Sequence, residues 1–282
     1  VSVVERRSYS DILGGRWRRP LQTVAPAEAA GTNELIGPSG AKGSNMSTPT
    51  SAPSVRSILI IGASRGLGYA MAKEFVERGW RVFGTVRAPG TPLHTLAAER
   101  RDMLEIAVLD MTDREQILAL RGHLSGRRFD IVFVNGGIAN HSPGDTMAEV
   151  STEEFVQVMI TNVLGVMRAV EALGVLAGPG GVIGVMSSGQ GSITNNTNGT
   201  NDIYRASKTA LNQSMSSYAG RHADGGRAFV LMAPGWIRTE MGGSKAPFGV
   251  EEAIPQIVDV LVAQQGAVGL RYLDRFGRTV PW

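Results

Sequence analysis

Tyr204 and Lys208 stand four residues apart in a chain with only four lysines among its 28 basic side chains. On a helix, residues i and i+4 share a face, so the phenol and the ammonium would lie side by side. A fixed cation favours phenolate and pulls a phenol below its free pKa of about 10. The spacing therefore predicts a tyrosine able to give or take a proton near neutral pH. With five tyrosines in 282 residues, such a pair is uncommon by chance. It follows, in chain order, a Gly-rich turn, an Asn-Gly-Gly strand end and a Ser-Ser-Gly segment, a sequence of features that makes sense as one active site.

The Gly-rich turn is Gly62-Ala63-Ser64-Arg65-Gly66-Leu67-Gly68, entered from a β-branched run and left through a helical pattern. Such a turn sets bare amides and a helix N-terminus against a pyrophosphate, although its glycines also serve tight strand-to-helix packing. The spacing is G-x-x-x-G-x-G and no Lys-Ser or Lys-Thr follows, so an ATP-type phosphate loop is not supported. With Tyr204 and Lys208 downstream, the turn predicts dinucleotide binding. At the end of the second strand, where an Asp or Glu would accept bonds from the adenosine ribose, the chain has Thr85-Val86-Arg87. A carboxylate there would repel a 2′-phosphate, whereas Arg87 and Arg65 suit one through charge-assisted bonds. We expect NADP as cofactor, with NADPH preferred over NADH; solvated surface arginines are the plainer alternative.

These residues need a scaffold. From Ser57 on, short β-branched runs alternate with helical patterns, which predicts an α/β fold: a single Rossmann-type doubly wound domain with a seven-stranded parallel sheet flanked by helices. Strands are expected at 58–61, 81–86, 104–109, 130–134, 182–186, 228–232 and 270–273. Helices are expected at 66–78, 113–124, 152–176, 203–221 and 251–264. Right-handed crossovers put ligands at the carboxyl ends of the strands, where every motif falls. Residues 1–55 are rich in Gly, Pro, Ser, Thr and Ala without a sustained period, and read as a flexible extension ahead of a catalytic domain at 56–282. Because Met46 lies shortly before the first strand, the upstream stretch also reads as leader ahead of a later start. Arg6, Arg7, Arg16, Arg18 and Arg19 do not make a transit peptide, since no apolar region follows and Glu5 and Asp11 intervene.

Composition removes several classes of function. The absence of cysteine excludes disulfides, thiolate zinc sites and thiol nucleophiles, and is compatible with a cytoplasmic location. Four scattered histidines lack ligand spacing, so no metal is expected. The net charge is +3, but residues 1–55 hold six basic and four acidic side chains, leaving 22 against 21 in the rest. No basic stripe remains, and no nucleic-acid partner is expected. Arg168 and Glu171 interrupt the longest apolar run, so no membrane span is expected either.

Taken together, residues 57–282 resemble the short-chain dehydrogenase/reductase family. Asn135-Gly136-Gly137 is similar to its Asn-Ala-Gly after the fourth strand, and Asp110 to its adenine-ring contact. Asn162 in Thr161-Asn162-Val163-Leu164-Gly165 resembles the helix Asn that completes a catalytic tetrad through a bound water. Pro234-Gly235-Trp236-Ile237-Arg238-Thr239 resembles the segment that closes over the nicotinamide, with Ile237 and Thr239 at the carboxamide. Within the family, the run from Tyr204 to Asn212, the run from Arg238 to Gly243, the polar stretch from Thr194 to Asn201 and Pro281-Trp282 resemble the C-factor-like and sniffer-type carbonyl reductases.

The resemblance implies hydride transfer between NADPH and a small-molecule carbonyl or alcohol substrate. Tyr204 would donate the proton, Ser188 would hydrogen-bond the carbonyl oxygen, and Lys208 would lower the tyrosine pKa and hold the nicotinamide ribose. Asn162 would anchor the water that returns a proton to Lys208; a helix-packing amide is its simpler reading. Ser188 is chosen over Ser187 because the family's Ser-x-x-Gly fits Ser188 to Gly191, and strand alternation points the two serines opposite ways. Ile193, Trp236, Met241 and His141 are candidate pocket residues, and the short segment 239–248 leaves no room for a helical lid, which suggests an open, permissive site. The resemblance also implies a homo-oligomer, dimer or tetramer, through the helices around Asn162 and Tyr204. The alternative function is a non-catalytic NAD(P)-binding signalling or regulatory protein of C-factor type, although a binding module has no physical need for a cation-activated phenol.

Overall fold

A computed structural model describes residues 55–282; the expected extension, including Met46, lies outside the described residues save for its last residue. Seven strands, β1 (Ser57–Ile61), β2 (Arg81–Val86), β3 (Leu104–Val108), β4 (Phe129–Val134), β5 (Ala177–Met186), β6 (Ala228–Ala233) and β7 (Gly269–Asp274), form one parallel sheet in the order 3-2-1-4-5-6-7. The chain order reverses between β1 and β4, which opens a crevice at their carboxyl ends. The Rossmann-type expectation holds, and each of the seven expected strands is present.

A parallel sheet covered on both faces needs strands that are apolar on both faces. In β1, Ile58 and Ile60 enter one core while Leu59 and Ile61 enter the other. The first core is closed by helices α1 (Gly66–Glu77), α2 (Pro92–Glu99) and α7 (Val250–Ala263) through Phe75, Leu93, Ile257 and Leu261. The second is closed by α3 (Arg114–His123), α5 (Val166–Leu173) and α6 (Asp202–Arg221) through Ile117, Leu173, Leu211 and Met215. Between the layers, β2 and β4 hold the ends of β1 at the crevice.

Three features depart from the expected elements. Helix α2 was not anticipated: its eight residues carry only Leu93 and Leu96 as buried anchors, and its start is fixed by Pro92 and a reciprocal Thr91–His94 capping box. Strand β5 begins at Ala177, with its register against β4 shifting between Phe129 and Ile131. The helix expected over 152–176 is divided into α4 (Thr152–Met159), a π-helical turn (Ile160–Gly165), α5 and a 3-10 turn (Gly174–Leu176). Such turns insert a residue into the helix, and here Asn162 within it is buried and faces Ile138 and Ser207. Gly165 lets this turn lie close to the chain after β3, since a Cβ there would lie 3.0 Å from the Met111 carbonyl oxygen.

Contrary to expectation, Thr152–Leu176 is long and apolar enough by length and composition to cross a membrane, with a mean hydropathy of 1.5. Half of that window is buried inside the protein, as befits a core helix. Along Thr152–Leu176, Phe155, Ile160, Leu164 and Val175 are exposed.

Candidate active site

The Gly-rich turn is gripped from both neighbouring strands. Thr85 of β2 accepts the Gly62 amide on its hydroxyl at 3.0 Å and the Ala63 amide on its carbonyl at 2.7 Å. From the end of β4, the Asn135 side-chain amide donates to the Gly62 carbonyl at 3.0 Å. A Cβ at Gly68 would lie 2.1 Å from that same carbonyl oxygen, so only glycine lets α1 start this close to the strand. Gly62 is constrained as well, at φ +88° and with a Cβ there falling 3.0 Å from the Gly136 amide nitrogen. Gly66 differs: at φ +56° a Cβ would meet nothing within 4 Å. Ser64 and Leu67 are half-buried beside it.

Helix α1 starts at Arg65 without a side-chain cap and without an acidic residue in its first turn, whereas α3 and α4 are capped by Asp113 and Ser151. Arg65 and Gly66 at this start are exposed, with the positive end of the helix dipole behind them, an arrangement that fits an anion such as a pyrophosphate. At the adenosine end, Arg87 is exposed at the end of β2. Arg65, expected to be available to a 2′-phosphate, is paired instead with Glu240 at 2.7 Å, both side chains being largely exposed. Asp110 shapes its own loop, with one carboxylate oxygen accepting from the Thr112 amide at 2.8 Å and hydroxyl at 2.7 Å.

At the other end of the crevice, Lys208 is 3 % exposed, and its ammonium donates to the Met186 carbonyl at 2.9 Å. Burial lowers its pKa to about 8. Its Nζ lies 5.7 Å from the Tyr204 ring centre, so the two do share the expected face of α6. The expected consequence does not follow. Tyr204 titrates above its ordinary value, first because burial disfavours phenolate, against which a hydrogen bond with the Ser188 hydroxyl pulls downward, while the Tyr272 phenol adds to the rise. Desolvation sets the direction of the shift, and the ammonium four residues on does not reverse it.

Asn162 is completely buried. Its side chain accepts from the Ile138 amide at 2.8 Å and donates to the Ile138 carbonyl at 2.8 Å and the Ser207 hydroxyl at 3.0 Å. This clamp fixes the chain just after Gly137, where a Cβ would lie 3.4 Å from both Asn162 Oδ1 and Lys208 Nζ. At the end of β5, Ser188 turns to the phenol and accepts from the Gln190 amide at 3.1 Å, while Ser187 points inward to Asn212 at 2.6 Å. Tyr272 of β7, which sequence reasoning missed, donates its hydroxyl to the Ser188 carbonyl. The only sequence signal was a polar-tipped aromatic in an otherwise core-facing strand position.

After β6, Pro234 is buried and Gly235 turns at φ +92°. The segment that follows is pre-shaped by its own bonds. The Trp236 indole donates to the Gly242 carbonyl at 2.7 Å, the Thr239 hydroxyl accepts from the Gly242 amide at 3.0 Å, and Arg238 holds the Ala246 carbonyl at 2.9 Å. Ile237 is buried and bridges to Phe248. Ile193, Trp236 and Met241 are exposed at 71 %, 56 % and 54 %, and His141 is exposed as well. The polar stretch after Ser188 is tied down at Thr194, whose amide donates to the Trp282 main-chain oxygen at 3.0 Å.

The family model for short chain dehydrogenases matches residues 56–248. The chain belongs to this family. A Burkholderia multivorans protein described as a short-chain dehydrogenase/reductase, solved with bound NADP, is 56% identical with a TM-score of 0.80, over 81% of this chain and 100% of that one. The carbonyl reductase Sniffer of D. melanogaster is 27% identical with a TM-score of 0.72, again over 81% of this chain and 100% of the other. C-signal of Myxococcus xanthus is 28% identical over 155 residues, 54% of this chain and 92% of its own length. The resemblance to the C-factor-like and sniffer-type carbonyl reductases thus holds.

Proposed function

We propose that this short-chain dehydrogenase is an NADPH-dependent oxidoreductase that moves a hydride between nicotinamide and a small carbonyl or alcohol, with Tyr204 as proton donor and acceptor. The observation that carries this reading is a convergence of three side chains at one end of the crevice: Tyr204, Ser188 beside its phenol, and the buried ammonium of Lys208 5.7 Å from its ring centre. An ammonium has three donors. Met186 takes one, and the others suit the paired hydroxyls of a ribose. The uncapped start of α1 suits the pyrophosphate, and Arg87, with no carboxylate at the end of β2, suits the 2′-phosphate. The NADP bound by the Burkholderia multivorans relative supports the same choice.

When bound, the reduced nicotinamide supplies hydride to the carbonyl carbon. Ser188 donates a hydrogen bond to the carbonyl oxygen, and that bond strengthens as negative charge grows there. The Tyr204 hydroxyl then gives its proton to the same oxygen. A phenol held above its ordinary pKa is fully protonated at neutral pH, which suits the reducing direction. In the oxidising direction the phenolate must form first, so alcohol oxidation is expected to climb steadily with pH through the alkaline range. Asn162 positions the Ile138 backbone and Ser207 beneath this cluster, and exposed Ile193, Trp236 and Met241 suit a permissive site for small apolar carbonyls.

The test is a screen of carbonyl compounds followed by NADPH absorbance, with Tyr204→Phe as control. The variant is expected to lose about 100-fold or more in turnover while its NADPH affinity stays within about twofold. Turnover at the wild-type rate would remove Tyr204 from the proposed role, and a lower KM for NADH than for NADPH would overturn the cofactor choice. A signalling module would bind NADPH and turn nothing over.

We also propose a homo-oligomer built on the exposed apolar face of Thr152–Leu176. A groove of about 500 Å³ beside it is lined by Met159, Val163, Leu164 and Met167 with Ser217 and Arg221 of α6. A second copy of the chain, presenting the same face about a two-fold axis, would bury both.

A further inference from the structure

We infer that Arg275 is a positioning residue that holds segment 234–248 in its working shape. What the segment covers, the nicotinamide side of the site, rests on the reading just proposed; what Arg275 does to the segment does not.

Arg275 follows β7 directly and is 5 % exposed. Its guanidinium carbon lies 3.8 Å from the centre of the Phe248 ring and 4.4 Å from that of Phe276, so the planar group is held by two aromatic faces. Its Nη1 donates to the Pro234 carbonyl at 3.2 Å and its Nε to the Gln256 side chain at 2.9 Å. Pro234 and Phe248 are the two ends of the segment, and Arg275 touches both. Gly235 is fitted to it, because a Cβ there would lie 2.4 Å from Nη1.

None of the ion pairs among the described residues includes Arg275. A buried charge without a carboxylate is expensive, and an apolar side chain of similar volume would fill this space more cheaply. What arginine adds is a rigid fork that stacks and donates in one geometry, which lysine lacks. The segment is internally bonded from Trp236 to Gly242 and from Arg238 to Ala246. Arg275 ties both ends of this bonded segment to the end of β7 and, through Gln256, to α7.

The segment contains two trypsin sites, Arg238 and Lys245, so its shape is readable without cofactor. In the full chain, Arg275→Lys and Arg275→Met are expected to be cut faster at both sites. Their Kd for NADPH, read from nicotinamide fluorescence, is expected to rise about 10- to 100-fold, as misplacement of a positioning element does. Gln256→Leu and Phe276→Ala, which each remove one restraint at less buried positions, should shift both readouts in the same direction by less. Wild-type cleavage rates and wild-type Kd in folded Arg275 variants would overturn the inference. Where those variants do not fold, wild-type values in the Gln256 and Phe276 variants overturn it equally. If the wild-type chain fails to bind NADPH, the proposed function falls, and the cleavage rates alone decide the role of Arg275.

Discussion

Burying the Lys208 ammonium makes the stability of this protein depend on pH in an unusual direction. Its folded pKa of about 8 lies below the ordinary 10.5. Between those values the unfolded chain holds a proton that the folded chain has released, so stability from this site rises with pH across that window. Below pH 8 the full cost of the buried charge is present. Lys208→Met should therefore stabilise the cofactor-free protein at pH 7 by about 1–2 kcal/mol, after subtracting the lost bond to Met186, while abolishing turnover. Thermal denaturation of both proteins across the alkaline range checks this: the advantage must shrink as pH rises, and a constant difference would contradict the assignment. At this scale, Tyr204 and Lys208 were legible because their spacing is local, whereas Ser188 and Asn162 were legible through the family resemblance of the segments that carry them. The direction of the Tyr204 shift was not, since burial comes from the whole crevice. Tyr272 and Arg275 escaped for a related reason: their partners lie 84 and 41 residues away in the chain, beyond any local pattern.

Among the elements, the turn into α1 separates two roles that glycine plays. At Gly66 the backbone needs φ +56° but has space, so Gly66→Ala should cost only about 1–2 kcal/mol of left-handed strain. At Gly68 a Cβ would strike the Gly62 carbonyl at 2.1 Å and the Asn135 amide at 2.6 Å, so Gly68→Ala must shift the helix or the strand end. We expect it to cost about 3 kcal/mol or more and to weaken NADPH binding, whereas Gly66→Ala leaves the fold largely intact. Urea denaturation ranks the two, and an equal cost would contradict the close approach. The strands were legible because both of their faces are apolar. The π-helical turn was not, since Ile160 to Gly165 carries an ordinary helical composition. Only the pull of Ile138 and Ser207 on Asn162 and the proximity of Met111 to Gly165 reveal the extra residue. Helix α2 was hidden by its brevity.

For the molecule as a whole, the exposed face of Thr152–Leu176 carries the proposal of self-association. Leu164 is 43 % exposed in the middle of that face and contacts neither cofactor nor substrate in the proposed reading. Leu164→Glu should convert the protein to monomers by light scattering with its melting behaviour otherwise preserved. A wild-type chain that is already monomeric at micromolar concentration would remove the proposal.

The strand order has a further consequence, and it concerns time. Strand β1 pairs on one side with β4, and Ile58 meets Ile131 there, so the centre of the sheet cannot close until most of the first half of the domain is in place. Every pairing is parallel, and each requires a long crossover before its first contact is rewarded. Tyr204 and Tyr272 come from α6 and β7, and Ser188 from the residues just after β5, all in the second half of the domain's sequence. During refolding, burial of the β1–β2 half is therefore expected to run ahead of the recovery of activity.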